Sequence, residues 1–417
     1  MMKRTVTIMI AICFLVAIGI VFADYYHAIY VSQPVLNNED QSLMEEIPSK
    51  KVNTKRSGEA TVNIFGDQLI HENVLLNANI NAGGLGERND YEKGFSFVNM
   101  FKWISDVIEC ADLSICTQNT LVGAADSIDS LSGYPLFNAP KQLGYDLQSL
   151  GFDVVNVATN HMLDLSDCGY ENSVSFWNQT GIKLVGGYAT KEEMVDIKNK
   201  VLDVNGIKFG ILAYTASTNG ITAVHESTAI PMFTYKGSSL LSHKLKSEVS
   251  DLKKISDIVI VLVNWGIQTD DKVTDRQRET AQILVDAGAD LIVGNGSTVL
   301  QPIEKLVSKD GEKQAICAYS LGNTLCTMQY MKNLLGGYLS IDFKKENEST
   351  YIESVKFTPT VIHYDRNIRN IEIVPLSEYS YDQFLQHGSN LLYGFGEYGW
   401  LLENVKEKVP IEMRRVQ

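Results

Sequence analysis

Hydrophobic and polar positions along the chain change period again and again, and each change marks an element. Residues 61–65 alternate as a strand that breaks into Gly66-Asp67, and 112–117 form a second strand. Between them, Phe97, Phe101, Ile104 and Ile108 recur at helical spacing and predict a helix over 95–109. A helix over 141–150 ends at Gly151. It precedes Val154, Val155 and Val157, an apolar run of the kind a buried parallel strand needs. Further on, 169–179 reads as a helix and 182–185 as a short strand. Strands at 201–204 and 208–214 flank Asn205-Gly206, a strong hairpin signal. Residues 244–255 are helical, 257–263 a strongly apolar strand, 275–287 an amphipathic helix that Gly288 ends, and 290–293 the next strand. Strands at 314–319, 338–343 and 351–359 follow without helices between them, and 381–407 is a peripheral helical tail. Early strands separated by helices and later strands pairing directly predict an α/β fold, a four-layer α/β/β/α sandwich with two sheets between helices.

The N-terminus has a different pattern. Lys3 and Arg4 precede an uncharged segment over 5–23, whose 19 residues just suffice to cross a bilayer as a helix. Positive charge on its leading side would hold that side in the cytoplasm and send the rest outward. The rival is a cleaved signal peptide, since Val21 and Ala23 are small residues before Asp24. The length of the apolar run favours a retained single-pass anchor at 1–23. Either way the body is expected outside the cytoplasm. Residues 24–59 are polar, carry Pro34, Pro48 and a basic cluster at Lys50, Lys51, Lys55 and Arg56, and read as a linker or stalk.

Charge and cysteine content narrow the classes. A net charge of −14 over 417 residues speaks against nucleic acid, which is bound through Lys and Arg on phosphates. Six cysteines, one of them in the apolar N-terminal segment, show no CxxC pair and no zinc spacing, so no disulfide framework is predicted.

Polar residues gather where the strands end, the place at which layered α/β folds collect ligands. They are Asp67 and His71; Thr117 to Asn119; Asn160, His161 and Asp164; Asn264 to Gln268, including Trp265; Asn295 to Thr298; and Ser320 to Asn323. Asn160 and His161, adjacent on one turn, could both approach a metal ion, and could equally cap a helix and sit half exposed. Trp265 suits a pocket wall or core packing more readily than a ligand contact. Arg276 and Arg278 read as a solvated helix face. Tyr134-Pro135 lies in a Gly- and Ser-rich loop that is either a lid or a surface excursion. His225, His243 and His363 stand apart from the strand ends and read as structural or exposed.

These blocks carry a resemblance. IFGD at 64–67, GFDVVNVATNHMLD at 151–164, VNWG at 263–266, DAGADLIVG with VLQPIE at 286–304, and YSLGN at 319–323 resemble the CapA family of poly-γ-glutamate capsule biosynthesis proteins. That family is similar in fold to the calcineurin-like metallophosphoesterases. The resemblance covers 60–362, with 363–417 as a C-terminal extension packed on that domain. The family pattern runs GD, NLE, ANNH with a following Asp, HWG, GHHPH and YSLGNF, which implies a metal centre.

Here the pattern departs from it. Asp67, Asn160 and His161 remain as the vestigial metal set. The acidic residue of NLE is Asn119, the His of HWG is Asn264, the acidic residue beyond it is Gln268, and GHHPH reads Gly294-Asn295-Gly296-Ser297-Thr298. A two-metal hydrolase needs carboxylates and imidazoles to balance charge and make a bound hydroxide. Amides and hydroxyls hold transition metals less well. The resemblance therefore implies at most one weakly bound divalent ion (Mn, Zn or Mg), with His161 as the remaining acid or base.

Three functions follow, in this order. First is a membrane-anchored accessory protein of capsule or surface-polymer assembly, whose partners are the polymer or other membrane proteins of that assembly. Second is a residual metal-dependent hydrolase or transferase acting on the polymer. Third is a binding module unrelated to capsule. The polar lining expected of such a pocket comprises Asp67, His71, Asn119, Asn160, His161, Asp164, Asn264, Trp265, Gln268, Asn295, Thr298 and Asn323.

Overall fold

A computed structural model describes residues 57–415 apart from 126, 234–237 and 395–396. The expected membrane segment at 5–23 and nearly all of the linker lie outside the described residues. No described helix is long and apolar enough to cross a membrane.

The chain forms a mixed α/β fold. Its strands are β1 (Glu59–Gln68), β2 (Leu113–Gln118), β3 (Leu121–Val122), β4 (Asn138–Ala139), β5 (Val154–Asn156), β6 (Lys183–Val185), β7 (Val201–Val204) and β8 (Ile207–Thr215). They continue as β9 (Ile258–Asn264), β10 (Leu291–Asn295), β11 (Ile303–Val307), β12 (Gln314–Ala318), β13 (Asn323–Leu325), β14 (Leu335–Glu346), β15 (Ser349–His363) and β16 (Glu372–Pro375). An eight-stranded sheet runs β16-β15-β14-β1-β2-β5-β6, with β13 also on β1, and a six-stranded sheet runs β11-β12-β10-β9-β8-β7. β1, β2, β5 and β6 are parallel, as are β8, β9, β10 and β12, so within each sheet these strands end on one side.

Side-chain alternation shows how the sheets stack. Along β9, Ile258, Ile260 and Leu262 enter the large core shared with the other sheet. Val259, Val261 and Val263 join a second core with Val249, Leu252, Leu284 and Val285 of the Ser238–Lys253 and Asp275–Ala287 helices. A strand buried on both faces reads as an unbroken apolar run, which is what its sequence shows. Phe209 of β8 meets Phe343 of β14 edge-on across the inter-sheet space, with centroids 5.1 Å apart. On the far face of the larger sheet, Asn63 Nδ2 donates to Val107 O at 2.8 Å and Ser114 Oγ to Ile108 O at 2.7 Å, fastening the Ser105–Cys110 helix there.

Local expectations hold with adjustments. Thr274 and Gln277 form a capping box at the start of the Asp275–Ala287 helix, and Gly288 ends it at φ 114°. The helix expected over 95–109 is instead a 3₁₀ turn, Val98–Phe101, followed by Ser105–Cys110. Phe97, Phe101, Ile104 and Ile108 are all fully buried nonetheless. The Phe97 N–H is taken by Asp146 Oδ2 at 2.6 Å, which ties the segment's start to the neighbouring Lys141–Ser149 helix. The tail divides into Tyr381–Gln386, Gly388–Tyr393 and Tyr398–Lys408, and β16 ahead of it adds a strand to the larger sheet. All the described cysteines, Cys110, Cys116, Cys168, Cys317 and Cys326, are free thiols.

Candidate functional site

The site forms where strands of both sheets end, and hydrogen bonds join the two sides. Gly296, just past β10, donates its N–H to Asp67 Oδ2 at 2.8 Å. Asn295 Nδ2 donates to Thr117 Oγ1 at 2.9 Å, and Asn264 Nδ2 to Asn160 Oδ1 at 3.3 Å. Each of these bonds crosses from the six-stranded to the eight-stranded sheet.

Backbone detail brings these side chains inward. Asn264 and Asn295 follow the phase of Leu262 and Val293, which face the other sheet. In β1 the inward residues are Val62 and Ile64, so simple alternation would turn Asp67 away. A register shift between Ile64 and Asp67, against two residues of β2, inserts an extra residue and reverses the phase. The bend also needs Gly66, where a Cβ would lie 2.1 Å from Gly322 O.

Asn160 is the hub of the amides. Its Oδ1 accepts from Asn119 Nδ2 and Asn264 Nδ2, each at 3.3 Å, and its Nδ2 donates to Asn219 Oδ1 at 3.1 Å. Asp67 is fully buried, and its Oδ1 has no hydrogen-bond partner. Removal from water pushes this carboxyl up to about 7, against the opposing pull of the Gly296 N–H, His161 and Asn119.

His161 Nδ1 lies 2.8 Å from Asp164 Oδ2, which also accepts the Phe137 N–H at 2.7 Å. Burial raises the Asp164 carboxyl above the ordinary range, and His161 opposes the shift. The Phe137 ring packs edge-on against both His161, at 4.7 Å, and His71, at 5.2 Å. Burial first, and His161 in addition, hold the His71 imidazole down to about 4. An imidazole oriented by a buried carboxylate is a positioned proton donor or acceptor.

The remaining expected residues divide. Thr298 and Asn323 belong to a neighbouring structural knot. Asn333, fully buried, donates to Thr298 Oγ1 and O, and Asn323 Nδ2 reaches Thr298 O and Asn333 O. Trp265 packs with the helices on the outer face of the smaller sheet, stacked on Tyr319 and donating Nε1–H to Tyr319 O at 2.8 Å. Gln268 is exposed on the loop beyond. The Tyr134-Pro135 loop stands beside His71 through Phe137, and Tyr134 itself is exposed. Phe137, Asn219, Asn333 and Thr215, which donates to Asn264 Oδ1 at 3.3 Å, were not foreseen. Thr215 and Asn219 end and follow β8, so the polar break after an apolar strand was also their sequence signal.

Charged donors are scarce here. The network that reaches Asp67 is built from Asn119, Asn160, Asn264, Asn295 and Thr117, with the Gly296 N–H. Among the described residues no group of three or more His, Cys, Asp or Glu side chains is placed to hold a metal ion.

Residues 61–328 match the profile of a family described as bacterial capsule synthesis protein PGA_cap. The chain is 34% identical over 179 residues to the capsule biosynthesis protein CapA of Bacillus anthracis, covering 42% of this chain and 41% of that one. It is 28% identical over 230 residues to the PGA biosynthesis protein CapA of Bacillus subtilis (strain 168), covering 52% and 53%. The chain thus spans about half the length of the curated relatives it matches. Among solved structures it is similar to the calcineurin-like phosphoesterase YfkN from Bacillus subtilis, with 11% identity and a TM-score of 0.40 over 84% of this chain and 99% of that one. A hypothetical protein from Thermus thermophilus gives 11% and 0.37 over 72% and 98%.

Proposed function

Because the chain belongs to the bacterial capsule synthesis protein family, we propose that it serves the assembly of a capsule or related surface polymer as an accessory protein, binding polymer or partner proteins without metal hydrolysis. The carrying observation is the donor set. Both sheets converge on one site, but apart from Asp67, Asp164 and the imidazoles of His71 and His161 the side chains bonded there are amides and hydroxyls. These residues do not fit a two-metal centre, which needs several carboxylates and imidazoles to neutralise the ions and activate water. The protein would act outside the cytoplasm, held by the apolar segment at 5–23.

A second reading has one observation in its favour. His161 is fixed by buried Asp164, so a hydrolase or transferase using His161 as acid or base would find that residue already oriented. One experiment separates the two. The purified protein is dialysed against manganese or zinc, and bound metal and phosphodiester turnover are measured beside His161→Ala. Far less than one ion per chain and no His161-dependent turnover are expected. Near-stoichiometric metal with turnover lost in His161→Ala would overturn the accessory role.

A further inference from the structure

The unpartnered polar atoms around Asp67 are all of one kind. Asp67, Asn119 and Asn295 are each at most 1% exposed, and the atoms left without a hydrogen bond are Asp67 Oδ1, Asn119 Oδ1 and Asn295 Oδ1. Asp164 Oδ1, beside His161, is a fourth. Every one is an oxygen acceptor. The amide donors are already used: Asn119 Nδ2 and Asn264 Nδ2 on Asn160 Oδ1, Asn160 Nδ2 on Asn219 Oδ1, Asn219 Nδ2 against the His161 ring, and Asn295 Nδ2 on Thr117. Gln68 and Gln118 also carry unpartnered amides, but each follows an inward residue, Asp67 or Thr117, by one position, and strand alternation turns it to the sheet's other face. The Asn119 amide is oriented by its surroundings, because the same NH₂ faces both Asn160 Oδ1 and the Asp67 carboxylate.

Leaving a buried acceptor unpaired is costly, so three or four together mark a place where something else supplies hydrogens. An anion cannot. A phosphate or carboxylate would bring more acceptors against a buried carboxylate, while the amide N–H groups of Asn119, Asn160, Asn264 and Asn295 are already engaged. A divalent ion suits the site poorly too, since one carboxylate among amides supplies little of the charge such ions are bound with. A primary ammonium carries one positive charge and three N–H donors, the chemical complement of a buried carboxylate and of amide oxygens left without partners.

We infer that the former metal site is an ammonium pocket: it takes a primary amine, on a polymer end or a small molecule, and excludes phosphate and carboxylate groups. This rests on the non-metal role proposed above. Asn160 is partly exposed and Asn219 exposed, so the amine enters past that pair.

Thermal unfolding of the whole protein at pH 8 tests it, with methylammonium chloride as the probe. Sodium chloride at equal ionic strength, sodium phosphate and manganese chloride are the comparisons. Methylammonium is expected to raise Tm with saturation while phosphate does not. Asp67→Asn should weaken the amine's apparent affinity about tenfold or more, as loss of a charged hydrogen bond does. Asn295→Asp should strengthen it, and this variant decides the matter if Asp67→Asn fails to fold. No saturable response to methylammonium, a response unchanged in both variants, or stabilisation by phosphate would overturn the pocket. Stoichiometric manganese binding with phosphodiester turnover would instead overturn the non-metal role beneath it. Failure of the amine without manganese binding would sink the pocket alone.

Discussion

Two buried histidine clusters in this protein handle polar atoms in opposite ways. Under the C-terminal extension, His363 and His387 pack edge-on with centroids 5.1 Å apart. Fully buried His387 donates from Nε2 to Ile362 O at 2.9 Å and accepts at Nδ1 from the Ser389 N–H at 3.0 Å. His363 Nδ1 meets the Tyr379 hydroxyl at 3.2 Å. At the strand-end site, around His161, four buried oxygens of Asp67, Asn119, Asp164 and Asn295 have no partner. A polar cluster that serves stability is closed, whereas one kept for a ligand leaves acceptors over.

The contrast breaks most sharply at His387. His387→Leu should cost about 3 kcal/mol in urea unfolding, because it strands both Ile362 O and the Ser389 N–H in the core. The same ring sets a pH window. Burial first, and His363 in addition, lower His387 from 6.5 to about 4, so the unfolded chain takes up a proton before the folded one does. Its contribution is therefore intact above pH 6.5 and is lost as pH falls toward 4, by up to about 3 kcal/mol. Stability curves over that range should flatten in His387→Leu, and an equally steep curve would assign the titration elsewhere.

Asp67 should behave with the opposite sign. Its folded value is raised from 3.8 to about 7, so its ionisation costs stability as pH rises through that interval. Asp67→Asn is expected to be on the order of 2 kcal/mol more stable than the native chain at pH 8 and little changed at pH 4. A destabilised variant at pH 8 would mean that the carboxylate is already compensated. Trp265→Phe should cost about 1 kcal/mol through the lost bond to Tyr319 O, without altering the methylammonium response. Smallest of all, Gln268→Ala, on an exposed loop, should stay within about 0.5 kcal/mol and leave binding unchanged.

Trp265 and Gln268 show where sequence adjacency misleads. Both stand in or just beyond the VNWG segment that supplies Asn264. A strand's side chains alternate, so Asn264 shares the inter-sheet face with Leu262 while Trp265 shares the helix face with Val263. Asn333 and Phe137 gave no signal of their own. One lies on a four-residue helix and the other in an irregular loop, and each reaches its partners only through long-range closure.

By itself the sequence determined the elements whose causes are local. These include the apolar runs of β5 and β9, the capping box and terminal glycine of the Asp275–Ala287 helix, and the polar breaks that supply Asp67, Asn160, His161, Asn264 and Asn295. It also determined that amides, Asn119, Asn160, Asn264 and Asn295, stand at several of those breaks. Only the tertiary structure decided which atoms of those residues are left over. The shift in β1 that turns Asp67 inward and the bonds Asn295–Thr117, Asn264–Asn160 and Gly296–Asp67 all depend on two sheets meeting. Hydrogen-bond satisfaction belongs to the assembled pair of sheets, since the Asp67 carboxylate and the Gly296 N–H that it accepts lie 229 residues apart along the chain.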